Sequence, residues 1–167
     1  AIAICGGQVQ ATGLVGGFNG QYLESLLDQD KIPHQFGHVA GETRSCINIL
    51  DPGYGSTEYL EPGFTVSPEE EQEFMERFPD IIRDSDVVTI SGSLPRGISK
   101  DIYSKMITIA REMGKKVLLD SSGETLKNAI AAGPTLVKPN QDEIQQLAEA
   151  RITSEEDLIR CGKKVHE

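Results

Sequence analysis

The sequence predicts an α/β fold built on a mostly parallel sheet. Short apolar runs, such as residues 86–90 and 116–120, have the length of buried strands. Stretches with helical periodicity separate these runs, and strands that alternate with helices in this way form βαβ units. Right-handed crossovers then bring the carboxyl ends of the strands to one edge of the sheet, where ligands of such folds bind.

The first 33 residues contain one predicted strand and one predicted helix. Residues 1–5 are followed by Gly6 and Gly7, a pair typical of a helix C-terminus, so we expect the front of a first helix to lie upstream of Ala1. Residues 9–14 favour a strand. The apolar side chains after it have helical spacing: Tyr22, Leu23, Leu26 and Leu27.

Residues 34–61 have a different pattern. Apolar and polar residues alternate between Cys46 and Asp51, and residues 51–55 supply the Asp, Pro and Gly of a turn. This is the pattern of a β-hairpin. We therefore predict a small β lid over residues 34–61, inserted into an α/β core formed by residues 1–33 and 62–167.

The rest of the core continues the alternation of helices and strands. Ser67, Pro68 and Glu70 have the spacing of a capping box with proline at the first helical position. Thr153 and Glu156 predict a second capping box at the last helix. The elements between them are predicted as strands at 86–90, 116–120 and 135–138, and as helices near 102–113, at 124–132 and from Asn140.

Composition excludes several classes of function. Sixteen basic and twenty-six acidic residues give a net charge of −10, which argues against nucleic-acid binding through clustered Lys and Arg. No apolar run approaches the length of a membrane span, and no signal peptide is visible. Cys5, Cys46 and Cys161 lack metal-ligand spacing, so we expect buried or incidental thiols and a reducing cytoplasm.

The loop after the strand at 86–90 is rich in small residues. In residues 90–97, glycine allows backbone N–H groups to approach an anion, Ser93 adds a hydroxyl, and Arg96 adds a positive charge. This pattern is typical of a phosphate site. An ordinary strand-to-helix loop, with Ser99 capping the next helix, explains the same residues.

A second polar group follows the strand at 135–138. Lys138, Asn140 and Glu143 lie within six residues, and the last two are three apart at a predicted helix start. Oxygen ligands of this kind suit Mg²⁺ held partly through water. Asn at the N-cap with Glu at the third helical position is also a capping arrangement that needs no ligand, and both interpretations stay open.

Other polar residues carry weaker signals. Arg44 is predicted to begin a strand of the lid, where a lone arginine is more often solvated than functional. Asp120 ends a strand, a position at which Asp often only stabilises a turn. His34, His38 and His166 have no partner pattern, and we expect them at the surface.

Taken in order, several motifs resemble the ribokinase-like (PfkB) carbohydrate kinases, in particular their hexose-phosphate branch of 1-phosphofructokinase and tagatose-6-phosphate kinase. The motifs occupy residues 11–17, 41–44, 61–63, 90–97, 119–124 and 137–140, and they cover nearly the whole chain.

The resemblance implies a three-layer α/β/α fold with a small β lid, and a kinase that uses ATP and Mg²⁺ to convert fructose 1-phosphate or tagatose 6-phosphate to the bisphosphate. It implies that Arg44, Ser93 and Arg96 bind the sugar phosphate. It further implies that Lys138 lies beside the ATP phosphates, while Asn140 and Glu143 organise Mg²⁺ through water. Asp120 is a weaker metal candidate.

The chain departs from the family pattern at both ends. The upstream Gly-Gly-Lys or Gly-Gly-x-Asn sugar loop and the downstream Gly-Ala-Gly-Asp motif, which supplies the general base, are not in residues 1–167. A general base contributes about 10²–10⁴-fold to rate. We therefore expect part of a larger kinase, inactive as 167 residues alone and without a catalytic residue of its own.

Two other functions compete with this interpretation. The first is a non-catalytic sugar-phosphate-binding or structural remnant of such a kinase. The second, a dinucleotide-binding Rossmann domain, is disfavoured because the first strand is not followed by G-x-G-x-x-G. Because the lid is too thin to be stable by itself, we expect it to pair with a second copy in a homodimer.

Overall fold

A computed structural model describes residues 2–166, and of His166 it describes the backbone alone. The elements in chain order are β1 (Ala11–Val15), α1 (Gly17–Gln29), β2 (His34–His38), β3 (Cys46–Asp51), β4 (Gly55–Leu60), α2 (Pro68–Ile81), β5 (Val87–Ser91), α3 (Ile102–Glu112), β6 (Lys116–Asp120), α4 (Gly123–Ile130), β7 (Leu136–Val137), α5 (Gln141–Ala148) and α6 (Glu155–His166). The alternation of strands and helices confirms the predicted α/β class.

The chain divides into two compact units. The first contains the residues up to Ile81 together with Pro95–Ile98, and the second contains Ile82–Leu94 and the residues from Ser99 onward. In the first unit, β1 and β2 pair in parallel, and β3 and β4 form an antiparallel hairpin. In the second unit, β5, β6 and β7 form a parallel sheet in that order.

The first unit is held together by α2 packing against β2. Phe74 and Phe78 are four residues apart on one face of α2, and both are buried. A Cβ atom added to Gly37 in β2 would lie 3.6 Å from the ring of Phe74 and 2.8 Å from Leu14. Glycine at this position therefore makes room for the Leu14 side chain, while Phe74 lies at ordinary van der Waals distance.

The hairpin of the predicted lid is present, whereas residues 34–38 pair elsewhere. Cys46 in β3 lies opposite Leu60 in β4, and Ile47 lies opposite Tyr59. Strand β2 instead pairs with β1, and the N–H group of Val39 continues this ladder by donating to the carbonyl of Val15 at 2.9 Å. The division of the chain into a core and a lid over residues 34–61 stays a prediction.

The second unit is built on the buried strand β6. Val117 and Leu119 of β6 are almost completely buried, as expected for the central strand of a parallel sheet. The apolar stripe of α3 is buried as well, with Met106 and Ile107 among its members. A smaller cluster joins α5 and α6 around Cys161.

Helix ends follow the sequence signals with one correction. Ser67 and Glu70 form the predicted capping box, with the N–H group of Ser67 donating to the Glu70 carboxylate at 2.7 Å and the N–H group of Glu70 donating to Ser67 Oγ at 3.2 Å. At α6 the predicted pair Thr153 and Glu156 is wrong by one residue. The N–H group of Asp157 donates to Ser154 Oγ at 3.1 Å, and the Asp157 carboxylate reaches back to accept from Thr153.

Gly6 ends a turn at residues 2–6, where the sequence predicts the end of a helix. The N–H group of Gly7 donates to the carbonyl of Ile2, and that of Gly6 donates to Ala3, while Gly6 has a φ of +80°. This pair of bonds around a left-handed glycine is a Schellman motif. Ala1 lies outside the described residues.

Among residues 2–166, none of the helices combines the length and the apolar character that crossing a lipid bilayer requires.

Glu70 generates a prediction about stability and pH. Hydrogen bonds from the backbone N–H groups of Ser67 and Ala40 hold the pKa of Glu70 below its ordinary value of 4.5. A lowered folded-state pKa contributes stability above pH 4.5 that is lost as the pH falls through the lowered value. We expect the melting temperature of Glu70→Gln to lie below that of wild type at pH 7, and this difference to shrink towards pH 3. Thermal unfolding followed by circular dichroism measures it.

Glu73→Gln is the control, since it removes an exposed carboxylate of the same helix that lies outside the capping box. A difference between wild type and Glu70→Gln that stays constant between the two pH values would contradict the assignment of this stability to the Glu70 carboxylate.

Candidate functional site

The carboxyl edge of the β5–β6–β7 sheet gathers the polar residues of the second unit. Ser91 is in register with Asp120, and Leu119 is in register with Val137, so the three strands end level with one another. The loops that follow them therefore leave the sheet at the same edge. The sequence prediction that these loops form one surface is confirmed for this unit.

The loop after β5 is fixed through the peptide groups of Gly92. Its N–H group donates to the carbonyl of Asp120 at 3.1 Å, and its carbonyl accepts from the hydroxyls of Tyr103 at 3.3 Å and Ser121 at 3.4 Å. Gly92 has a φ of +104°, a backbone conformation that favours glycine. Ser93, a predicted substrate ligand, comes next and is exposed.

Both hydroxyls that hold Gly92 are buried. Ser121 is the buried polar side chain of this unit, and Tyr103 packs in the core through its ring. Burial raises the pKa of Tyr103 above its ordinary value of 10.0, so its hydroxyl keeps its proton, and its ability to donate, at neutral pH.

Lys138 and Asp120 form an ion pair at this edge. Lys138 Nζ lies 3.2 Å from Asp120 Oδ2, and the N–H group of Lys138 donates to the carbonyl of Leu119 at 3.1 Å. The side chains are 69% and 44% exposed. An ion pair this exposed contributes about 0–1 kcal/mol, so either charge can exchange its partner for a ligand at little cost.

Asn140 and Glu143 form the capping box of α5. The N–H group of Glu143 donates to Asn140 Oδ1 at 2.9 Å, and the N–H group of Asn140 donates to Glu143 Oε2 at 2.8 Å. The capping alternative considered for these residues is therefore realised. The cap uses Oε2 of Glu143, a half-buried residue, while Asn140, Gln141 and Asp142 at this helix start are exposed.

The donor set of this edge fits a hydrated Mg²⁺ ion better than a metal held by protein ligands alone. Among the described residues, there is no cluster of three or more His, Cys, Asp or Glu side chains that could hold a metal ion. Mg²⁺ usually keeps several waters and binds one or two carboxylates together with substrate phosphates. The carboxylates of Glu143 and Asp120 are of the required type.

Arg44 lies in the first unit, in a loop and not in a strand. Strand β3 begins at Cys46, two residues later than the sequence predicts. The aliphatic part of the Arg44 side chain covers Gly63, where an added Cβ atom would lie 3.2 Å from Arg44 Cβ. Gly63 also has a φ of +71°. Both this backbone conformation and the short distance to Arg44 favour glycine at position 63.

Arg96 also belongs to the first unit, through the segment Pro95–Ile98. It forms an isolated parallel bridge with Thr65, and its carbonyl accepts from the N–H group of Val66 at 2.8 Å. At Gly97 an added Cβ atom would lie 2.0 Å from the carbonyl oxygen of Val66, so only glycine fits there. Arg44 and Arg96 are thus in one compact unit, while Ser93, Asp120, Lys138, Asn140 and Glu143 are in the other.

Sequence reasoning missed a group of side chains that anchors the Arg44 loop. The Glu42 carboxylate accepts from the backbone N–H groups of Phe18 at 3.2 Å and Asn19 at 2.5 Å, in the first turn of α1. The signal that points to it is the start of α1 at Gly16 and Gly17, which offers no side chain to cap the helix. A carboxylate from elsewhere in the chain is then the expected acceptor.

The histidines differ from expectation in one respect. His34 was expected at the surface, but its side chain is only 17% exposed, and Nε2 lies 3.1 Å from Asp28 Oδ1. His38 is exposed as predicted and pairs with Glu24 at 3.1 Å. The side chain of His166 lies outside the described residues. Cys161 is buried, and Cys5 and Cys46 are exposed thiols.

Comparison with known protein families gives the identity of the fold. The sequence profile described as pfkB family carbohydrate kinase matches residues 1–167. The chain belongs to this family. Its α/β architecture is accordingly the ribokinase-like fold of the pfkB kinases, and the resemblance to this family is confirmed.

Curated and solved relatives are sugar-phosphate kinases. A tagatose-6-phosphate kinase from Staphylococcus epidermidis is 39% identical over 152 residues, which are 90% of this chain and 49% of the relative. Phosphofructokinase-2 from Escherichia coli in complex with fructose 6-phosphate has a TM-score of 0.88 at 30% identity. The match covers 98% of this chain and 55% of the phosphofructokinase-2 chain. A possible 1-phosphofructokinase from Thermotoga maritima has a TM-score of 0.86 at 28% identity, with 98% of this chain and 53% of that chain covered.

The chain spans about half the length of the pfkB relatives it matches. The E. coli phosphofructokinase-2 has also been described in a tetrameric inhibited form, whose chain has a TM-score of 0.86 at 30% identity, with 98% of this chain and 54% of that chain covered.

Proposed function

We propose that this chain supplies sugar-phosphate-binding and metal–nucleotide-binding residues of an ATP-dependent sugar-phosphate kinase. The substrate we propose is fructose 1-phosphate or tagatose 6-phosphate, converted to the bisphosphate. One observation supports this proposal most directly. A cation, a carboxylate and a loop of small residues lie together at one edge of the parallel sheet. The tagatose-6-phosphate kinase relative favours the same substrate class.

On the substrate side, Arg44 binds the phosphate group of the sugar phosphate in this proposal. A guanidinium group binds phosphate through two parallel charge-assisted hydrogen bonds. Ser93 and Arg96 provide further contacts. The exposed position of all three side chains is compatible with a ligand that enters from solvent.

On the nucleotide side, Lys138 neutralises phosphate charge, and Asn140 with Glu143 orients the water shell of Mg²⁺. Bound ATP supplies the phosphoryl group that is transferred. Asp120 holds Lys138 at the sheet edge before the nucleotide binds, and the weakness of this exposed ion pair lets Lys138 turn to a phosphate oxygen. Catalysis of phosphoryl transfer depends mainly on such positioning and charge neutralisation.

A second candidate function is sugar-phosphate binding without catalysis. The exposed residues Arg44, Ser93 and Arg96 serve binding of the sugar phosphate in this candidate as well. Transfer of ³²P from ATP to tagatose 6-phosphate, measured with the whole protein to which these residues belong, distinguishes the two candidates. Binding of the sugar phosphate without any transfer would favour the second.

We further propose that the hairpin β3–β4 mediates a homodimer, and that the protein acts in the cytoplasm. Every residue of both strands is exposed within the described chain, including the apolar residues Ile47, Ile49, Leu50 and Leu60. A two-stranded hairpin exposed on both faces is marginally stable alone and benefits from a covering surface.

The role of Arg44 predicts a specific loss of phosphate recognition. We expect Arg44→Ala to weaken the binding of tagatose 6-phosphate by about 1.5–3 kcal/mol, because one charge-assisted contact is lost. Isothermal titration calorimetry of wild type and variant measures this difference.

The matched control is Arg77→Ala, which removes the same charge from an exposed position on α2 in the same unit. Equal affinity of wild type for tagatose and tagatose 6-phosphate, or unchanged affinity in Arg44→Ala, would refute the role of Arg44.

Substitution of Glu143 by Gln distinguishes a capping role of this residue from a metal-binding role. Because Gln also serves as the third residue of a capping box, Glu143→Gln should change the free energy of unfolding by less than about 1 kcal/mol. We expect the same variant to require a higher free Mg²⁺ concentration for ATP binding, since the carboxylate oxygen that orders the water shell is lost.

Asp142→Asn is the control for charge, as it removes a neighbouring exposed carboxylate that is not part of the capping box. ATP affinities of wild type and Glu143→Gln that overlay across the Mg²⁺ titration would reject the metal role and leave the cap alone.

The exposed hairpin predicts the assembly state. We expect wild type to be a dimer and Ile47→Lys to be a monomer with unchanged circular dichroism, because a charge at the interface is costly to bury. Sedimentation equilibrium measures both. Ile159→Lys on α6 is the control, since Ile159 is 52% exposed and Ile47 is 57% exposed. A monomeric wild type, or a dimer unaffected by Ile47→Lys, would exclude the hairpin interface.

A further inference from the structure

The loop that carries Arg44 is tied to the start of α1 by reciprocal hydrogen bonds. The N–H group of Thr43 donates to the carbonyl of Gly16 at 2.9 Å, and the N–H group of Gly16 donates to Thr43 Oγ1 at 2.9 Å. Together with the Glu42 carboxylate on the first turn of α1, these bonds fix residues 41–43. We call residues 41–45 the arginine loop.

One side chain of α1 extends this attachment to both sides of Arg44. The side-chain amide nitrogen of Asn19 donates to the carbonyl of Thr43 at 2.9 Å and to Ser45 Oγ at 3.2 Å. A primary amide has two N–H donors, and here both are directed at the arginine loop. Exchanging its nitrogen and oxygen would set two carbonyl oxygens against each other at Thr43, so the hydrogen bonds determine the orientation of the amide.

The far side of the arginine loop is fixed by different residues. The N–H group of Ser45 donates to the Glu61 carboxylate at 2.7 Å, and the Arg44 side chain lies over Gly63. Thr43 and Ser45, the neighbours of Arg44, are half-buried, whereas Arg44 is exposed. The backbone on either side of Arg44 is thus held by hydrogen bonds.

We infer that Asn19 is a positioning residue for recognition of the substrate phosphate. It holds the Thr43–Arg44 peptide unit and the Ser45 side chain, one on each side of the Arg44 Cα atom. It thereby lowers the conformational entropy that the loop loses when the phosphate binds. The inference rests on the proposed function, in which Arg44 contacts the phosphate. Asn19 itself touches no ligand in this proposal.

A double-mutant cycle of Asn19 and Arg44 tests the inference. Binding of tagatose 6-phosphate is measured by calorimetry for wild type, Asn19→Ala, Arg44→Ala and the double variant. We expect Asn19→Ala to weaken binding by about 3- to 10-fold in the wild-type background, as one or two neutral hydrogen bonds are lost. In the Arg44→Ala background we expect less than about a twofold effect, because residues that act through one contact are not additive.

Two variants guard against misreading a folding defect. Ser25→Ala removes a side-chain-to-backbone hydrogen bond elsewhere on α1, from Ser25 Oγ to the Tyr22 carbonyl at 2.7 Å, and should leave the affinity unchanged. Asn19→Asp preserves the size of the side chain but removes both donors, and should weaken binding as Asn19→Ala does.

Hydrogen exchange gives a readout that needs no sugar phosphate. In Asn19→Ala, peptides covering residues 41–45 should exchange several-fold faster than in wild type, while peptides covering α3 and β6 exchange as before. Unchanged exchange in the arginine loop would overturn the inference by itself.

The binding outcomes separate this inference from the proposed function. If Arg44→Ala weakens binding and Asn19→Ala does not, the positioning role fails and the proposed function stands. If Asn19→Ala weakens binding equally in both backgrounds, Asn19 acts on stability and not through Arg44, which also overturns the inference. If neither substitution changes binding, both proposals fail.

Discussion

The parallel register of β5, β6 and β7 is the constraint on which the candidate site of the second unit depends. Because Ser91 is level with Asp120 and Leu119 is level with Val137, the residues after each strand leave the sheet together. Burial of Val117 and Leu119 fixes this register, since a shift by one residue would expose the apolar side chains of β6. The core therefore determines where Gly92, Asp120 and Lys138 lie.

Elements that stabilise the fold and elements that bind ligands overlap at this edge. Asn140 and Glu143 cap α5, and the same pair is proposed to order the water shell of a metal ion. The two roles are compatible because the hydrogen bond from the Asn140 N–H group uses one of the two carboxylate oxygens of Glu143. The ion pair of Lys138 with Asp120 similarly keeps a cation at the edge without binding it strongly.

Local signals in the sequence predicted the features that depend on neighbouring residues. The capping boxes at Ser67 and Asn140, the hairpin from Cys46 and the strand at 116–120 follow from spacing and turn chemistry. The pairing of β2 with β1 and the anchoring of the arginine loop by Asn19 and Glu42 were not predictable in this way. Both join residues 23 or more positions apart in the sequence, and such contacts leave no periodic pattern.

The chain is acidic, yet it is proposed to bind an anion. The two are compatible because several of its carboxylates accept hydrogen bonds from backbone N–H groups. Glu42 accepts from the start of α1, Glu61 from Ser45, Glu70 from Ser67 and Ala40, and Glu143 from Asn140. Backbone N–H groups at helix starts carry partial positive charge, and a carboxylate placed there is stabilised. Glu42, the carboxylate nearest to Arg44 in sequence, thus accepts two hydrogen bonds from the first turn of α1. A net charge of −10 over the chain then does not prevent a local cation from meeting a phosphate.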